Sequence, residues 1–239
     1  MLVTTKAIVF SAKKFKDTSL IVNCFTRETG LASYLIKGVY SSRKSGIKPA
    51  LFQPLMLIQL TSNHKNTSGL NYLKEVQVYH PTRSLYTNIY KNTIALFLSE
   101  VLTLLIKEEE ANLPLYDYIE ESLIWLDNNE ICANFHLLFL MNLSKYLGCY
   151  PDTTQQQLDC FDLENGNFTD NTLTKFSISG EKLVVFKSML GINFDKVKDE
   201  KLNGKQRQEF LTIMLDYFRL HLFDFKKPRS LDILSKIFS

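Results

Sequence analysis

Cysteine is scarce in this chain of 239 residues, and the four present, Cys24, Cys132, Cys149 and Cys160, stand far apart. A structural zinc site draws on short paired spacings of the C-x₂₋₄-C kind. Cys149 and Cys160 are isolated, with no second pair and no nearby histidine, so neither a metal site nor any other cofactor is expected. Met1 to Lys6 hold no apolar h-region. The expectation is a cytoplasmic protein with reduced thiols. Glycine and proline are few, at 9 and 6, which leaves little material for a long flexible linker. Long apolar runs are missing too: Ile94 to Ile106 is interrupted by Ser99 and Glu100 and falls short of the roughly 20 residues a bilayer requires.

Catalytic signatures are equally thin. There is no nucleophile elbow, no HExxH and no dinucleotide glycine fingerprint. The segment Gly38 to Ser45 resembles a phosphate-binding P-loop, yet Arg43 replaces the second glycine and Pro49 with a strand follows where a helix is needed. Among the histidines, His136 lies on an apolar helix, His64 in a polar turn, His80 at a boundary and His221 near a helix end. The carboxylate runs Glu108 to Glu110 and Glu120-Glu121 read as solvated helix faces. An enzyme is not expected.

The remaining composition, 45% hydrophobic and 22% charged, is that of a chain with a buried core. Its net charge of +3 conceals a division. Residues 1 to 80 carry 11 basic and 3 acidic side chains, whereas residues 81 to 239 carry 17 and 22. A surplus of eight positive charges on a small unit creates a field suited to phosphates.

The periodicity divides at the same place. Residues 1 to 80 read as strands at Thr4 to Ser11, Ser19 to Thr26, Leu31 to Val39, Phe52 to Thr61 and Leu70 to Gln77, separated by Glu28-Thr29-Gly30 and by the polar loops Ser41 to Pro49 and Ser62 to Gly69. Five short strands without a crossover helix predict a small antiparallel barrel, with the OB-fold leading. From residue 81 to 239 the spacing becomes helical. Helices are expected over Asn88 to Ile106, from near Pro114 to Asp127, over Ile131 to Leu147, Glu181 to Leu190, Lys205 to Phe223 and Ser230 to Phe238, with an irregular insert at about 149 to 175. The fold class is therefore α+β, a barrel and an all-α helical bundle.

Binding is the chemistry this pattern favours. Lys13, Lys14, Lys16, Arg27, Lys37, Arg43, Lys44 and Lys48 are interleaved with Phe15, Phe25, Tyr34, Tyr40 and Phe52. An OB barrel holds single strands with a positive track for the backbone and aromatic faces for the bases, worth roughly 1 to 3 kcal/mol per base. Phe25 and Phe52 are expected in the core. Tyr34 and Tyr40 are the expected stacking faces, because a phenol tolerates partial exposure.

Several segments carry a family resemblance: Lys16-Asp17-Thr18-Ser19-Leu20-Ile21-Val22, Phe25 to Leu31, Ile36-Lys37-Gly38-Val39 with the basic Ser41 to Lys44, Leu51-Phe52-Gln53-Pro54, Leu73-Lys74-Glu75, and Leu147-Gly148 with Pro151-Asp152. In order and spacing the chain resembles the bacterial RecO recombination-repair family. The resemblance implies an OB-fold and a helical domain, no catalytic site, binding of single- and double-stranded DNA, strand annealing, and, with RecR, loading of RecA onto strands coated by single-stranded-DNA-binding protein. It also implies that the helical domain receives the acidic, apolar-ended tail of that coating protein, for which Lys205, Arg207, Lys226, Lys227 and Arg229 are the cations available. Many family members hold zinc with four cysteines after the Leu-Gly segment, a pattern from which this sequence departs. An OB module for structured RNA shares the same charge and aromatics, and remains the alternative.

Overall fold

The computed structural model describes residues 2–40, 46–63, 69–130, 133–170 and 174–238. They form two compact units, Met1–Asn128 and Asn129–Ser239.

The first unit is built on a closed barrel of β1 (Leu2–Phe15), β2 (Ser19–Thr26), β3 (Gly30–Ile36), β4 (Leu57–Asn63) and β5 (Leu70–Val78), in the order β1-β2-β3-β5-β4. Closure depends on the length of β1. Its first half pairs with β4, Leu2 to Ile8 against Asn63 to Leu57, and its second half with β2, Ala7 to Phe15 against Thr26 to Ser19. A register shift between Val9 and Ser11 bends the strand from one partner to the other, as a bulge does at a barrel corner. Alternation then sorts the side chains. Val9, Leu20, Val22, Cys24, Ala32, Tyr34, Ile36, Ile58 and Leu60 fill the interior.

The strand expected from Phe52 begins later, at Leu57. Pro49–Phe52 instead forms a 3₁₀ turn that buries Phe52 in the barrel core. Phe25 is buried as expected but outside the barrel interior, stacked on Phe10 at 5.8 Å and tilted against Tyr116 at 6.0 Å.

That second aromatic layer seats two helices, α1 (Ile89–Leu105) and α2 (Leu113–Asn128). The sequence boundary at residue 80 marks where strands give way to helices, while compactness groups both of these helices with the barrel. Asn88 caps α1 by accepting from the Tyr90 and Lys91 amides. The buried Asp127 carboxylate accepts from the backbone N–H groups of Arg83, Ser84 and Leu85, and the Lys91 ammonium donates to Ser84 Oγ at 2.6 Å and to Asp127 O at 3.0 Å. Burial pushes the Asp127 carboxyl up, yet the three amides and Lys91 outweigh it and hold it below its ordinary value. Gly30, at φ +68°, lies so close beneath Glu110 that a Cβ would fall 2.3 Å from the Glu110 carbonyl oxygen. The linker between α1 and α2 is thereby pinned to the β2–β3 turn, with Leu31 N–H donating to Glu108 O at 3.1 Å.

The second unit centres on α3 (Phe135–Tyr146), buried on every side until Lys145. The insert forms a small sheet of β6 (Cys160–Asp162), β7 (Asn167–Thr169) and β8 (Ser177–Ser179), with β6 in the middle. Phe161 fastens it, packing on Phe168 at 4.9 Å, on Phe186 of α4 (Gly180–Ser188) at 4.7 Å, and on Tyr217 of α5 (Gly204–His221) at 6.2 Å. Asn203 and Gln206 form a reciprocal capping box at the start of α5. The chain closes with α6 (Leu231–Phe238).

Candidate nucleic-acid interface

Pairing register aligns the outward side chains of the barrel into rows. Ser11, Asn23, Ser33 and Leu70 are successive partners across β1, β2, β3 and β5, and Lys13, Ile21, Leu35 and Tyr72 form the next row. In the first row the Asn23 amide donates to Ser11 Oγ at 3.1 Å and Ser33 Oγ donates to Asn23 Oδ1 at 2.8 Å. The second row is a half-exposed apolar strip, Ile21 and Leu35, ending in the exposed Tyr72 ring. Beyond it lies a rim of Phe15, Lys16, Lys37 and Tyr40.

Three rings are open on this row and rim: Tyr40 at 45%, Tyr72 at 43% and Phe15 at 36% exposure. Each carries a lysine. Lys14 Nζ lies 5.8 Å from the Tyr40 centroid, Lys37 Nζ 5.0 Å from that of Tyr72, and Lys16 Nζ 5.5 Å from that of Phe15. A base stacked on any of these rings brings its phosphate near an ammonium already in place, which is the combination that single-strand binding sites use. Lys13, Lys14, Lys16, Lys37 and Lys48 are exposed and take no part in the ion pairs found among the described residues.

Two expected site residues serve other ends. Tyr34 is 2% exposed and points into the barrel between Ala32 and Ile36, so its ring offers no face to a base. The cause is strand alternation: Ser33 and Leu35 face out, and Tyr34 does not. Arg27 holds α2, its guanidinium donating to both Asp117 carboxylate oxygens at 3.1 and 3.3 Å. Lys6 is engaged nearby with Glu120 at 3.3 Å, and Tyr79 O–H donates to the same carboxylate. Arg43 and Lys44 lie outside the described residues. Tyr72 is not among the expected faces; it stands outside the barrel because its strand neighbour Asn71 is buried, an orientation that the sequence of β5 does not itself specify.

In the second unit, a groove of about 390 Å³ opens between α5 and α6, lined by Thr212, Leu215, Asp216, Arg219, Phe225, Lys227 and Leu231. Of the expected partner cations, Lys227 lines it. Lys226 pairs with Asp224 at 3.4 Å, Arg229 is exposed on the same connection, and Lys205 is exposed on the first turn of α5. Arg207 is committed elsewhere. Its guanidinium donates to Leu202 O and, at 3.1 Å, to Phe238 O, tying the end of α6 back to α5.

The residues of the β6–β8 sheet do not fit a zinc ion. Cys160 is buried with Thr169 and Ser179 as its strand partners, and no group of three His, Cys, Asp or Glu side chains among the described residues converges as metal ligands. Cys132 lies outside the described residues. Asp162 closes the turn in their place, accepting from the Glu164 and Asn165 amides and from the Asn165 side chain.

Strand order, closure and the outward platform define the barrel as an OB-fold. Residues 1–82 match the family model described as recombination protein O N terminal, and residues 86–231 the model described as recombination protein O C terminal. The chain belongs to this RecO family. It is 42% identical over 239 residues to the DNA repair protein RecO of Flavobacterium johnsoniae, 41% over 238 residues to that of Christiangramia forsetii and 32% over 244 residues to that of Porphyromonas gingivalis, in each case across 100% of both chains. No helix among the described residues is long and apolar enough to cross a membrane.

Proposed function

We propose that this protein is a non-catalytic DNA-binding mediator of recombinational repair, acting in the cytoplasm at the nucleoid. Its barrel residues, 1 to 80, hold single- and double-stranded DNA and favour annealing of complementary strands, and its helical residues, 81 to 239, serve partners. With RecR it promotes loading of RecA onto strands coated by single-stranded-DNA-binding protein. The observation that carries the DNA reading is the outward row of Lys13, Ile21, Leu35 and Tyr72 beside the exposed rings of Phe15 and Tyr40, with a lysine over each of the three rings. Stacking supplies affinity that is blind to sequence, and the ammonium groups supply the salt-dependent share.

Titration of labelled single-stranded DNA at several salt concentrations tests it. Log K is expected to fall with log salt at about −0.7 per phosphate neutralised. Replacing Lys14 and Lys37 together with Ala flattens that slope by about one to one and a half, whereas Tyr72→Ala weakens binding about tenfold and leaves the slope intact. Slopes and affinities that move in neither variant overturn the placement.

The α5–α6 groove is the proposed seat of the coating protein's tail. Apolar walls from Leu215, Phe225 and Leu231 suit the tail's last side chains, and Arg219 and Lys227 suit its carboxylates.

A further inference from the structure

The proposed groove already contains one carboxylate. Asp216 and Arg219 are both lining residues, one turn apart on α5, and the Arg219 guanidinium donates to Asp216 Oδ1 at 3.1 Å. Both side chains are about half exposed. The other lining cation, Lys227, is in none of the ion pairs found among the described residues, and no second acid lines the groove.

We propose that Asp216 is a built-in competitor for the ligand carboxylate, and that an acidic peptide enters by exchanging its own carboxylate for that of Asp216 on Arg219. This rests on the reading of the groove as an acidic-peptide site and adds the residue that sets its affinity. With two cations and one acid on its lining, the apolar-walled groove by this exchange favours such a peptide over a simple anion. Before binding, Asp216 satisfies Arg219 and lowers the local potential. A single free carboxylate gains little by displacing it, because one exposed ion pair replaces another. A ligand that also buries an apolar side chain against Phe225 and Leu231 adds the hydrophobic term that makes exchange favourable. Specificity thus falls to the combination of charge and apolar end, and neither alone suffices.

The test uses the full chain and a fluorescein-labelled peptide of aspartates ending in Leu-Phe with a free carboxylate, followed by anisotropy. Asp216→Asn, a substitution on an exposed helix surface, is expected to tighten binding about two- to fivefold, the range an exposed ion pair commands. In an Arg219→Gln background the same substitution is expected to gain almost nothing, because the competition is for that guanidinium. A gain of equal size in both backgrounds overturns the exchange and leaves simple repulsion. If the wild-type chain binds the peptide, Lys227→Glu weakens it and Asp216→Asn changes nothing, the competitor role fails while the groove reading stands. If neither the wild type nor Asp216→Asn binds, the groove reading itself is overturned, and the exchange with it.

Discussion

One buried side chain of the second unit, His136, couples that unit's folding to acid. His136 sits in α3, 2% exposed, with its ring 5.4 Å from that of Phe238. Burial, with the Arg207 charge adding to it, pulls its pKa down from 6.5 to about 3. The unfolded chain therefore takes up a proton near the ordinary value, while the folded chain resists until much lower pH. Stability from this residue is complete above pH 6.5 and is lost as pH falls towards about 3. Thermal melts of the full chain between about pH 7.5 and about pH 5 are expected to show a falling midpoint that His136→Gln flattens, even where the variant starts lower. An unchanged pH profile in that variant would assign the acid response to other groups. At this scale the sequence was least informative. The sequence offers Arg207 as a partner cation, whereas its guanidinium closes α6 onto α5, since a position one turn into α5 says nothing of which carbonyls it meets.

At the scale of elements the pattern was largely legible, because alternation and helical spacing are local. The second strand is observed where it was expected, Ser19–Thr26, and α1 lies within one residue of its expected bounds, Ile89–Leu105. What local pattern does not contain is which side of a strand faces the barrel. Tyr34 and Tyr72 are both strand tyrosines; alternation along each strand and the β3–β5 register, which pairs Tyr34 with Asn71 and Leu35 with Tyr72, set one inward and the other out. The strand expected from Phe52 starts later for a related reason: Pro49 begins a 3₁₀ turn that buries the Phe52 ring and packs Leu51 against the barrel core. Gly30 links two elements in a way no propensity shows. Its left-handed backbone and the Glu110 carbonyl above it leave no room for a methyl group. Gly30→Ala is expected to destabilise the first unit by about 2 kcal/mol or more, read as a lower midpoint in urea with an unchanged slope. A cost under about 0.5 kcal/mol would show that the α1–α2 linker is free to move off the turn.

For the whole molecule, charge was the most useful guide that sequence offered, and the structure refines where it acts. The acids of α2, Asp117 and Glu120, neutralise Arg27 and Lys6 on the barrel flank, so among the described barrel residues the positive surplus is left to Lys13, Lys14, Lys16, Lys37, Lys48 and Lys74. Three of these, Lys14, Lys16 and Lys37, stand over the exposed rings of Tyr40, Phe15 and Tyr72. Residues 41–45 and 64–68 flank this rim in sequence, and their contribution lies outside the described residues. The most direct test of the account is photocrosslinking of the full chain to single-stranded DNA carrying bromodeoxyuridine, with the adducts located by mass spectrometry. Stacked bases are expected to attach to Tyr72, Tyr40 and Phe15. Adducts confined to residues 129–239, with none on the barrel rim, would contradict it.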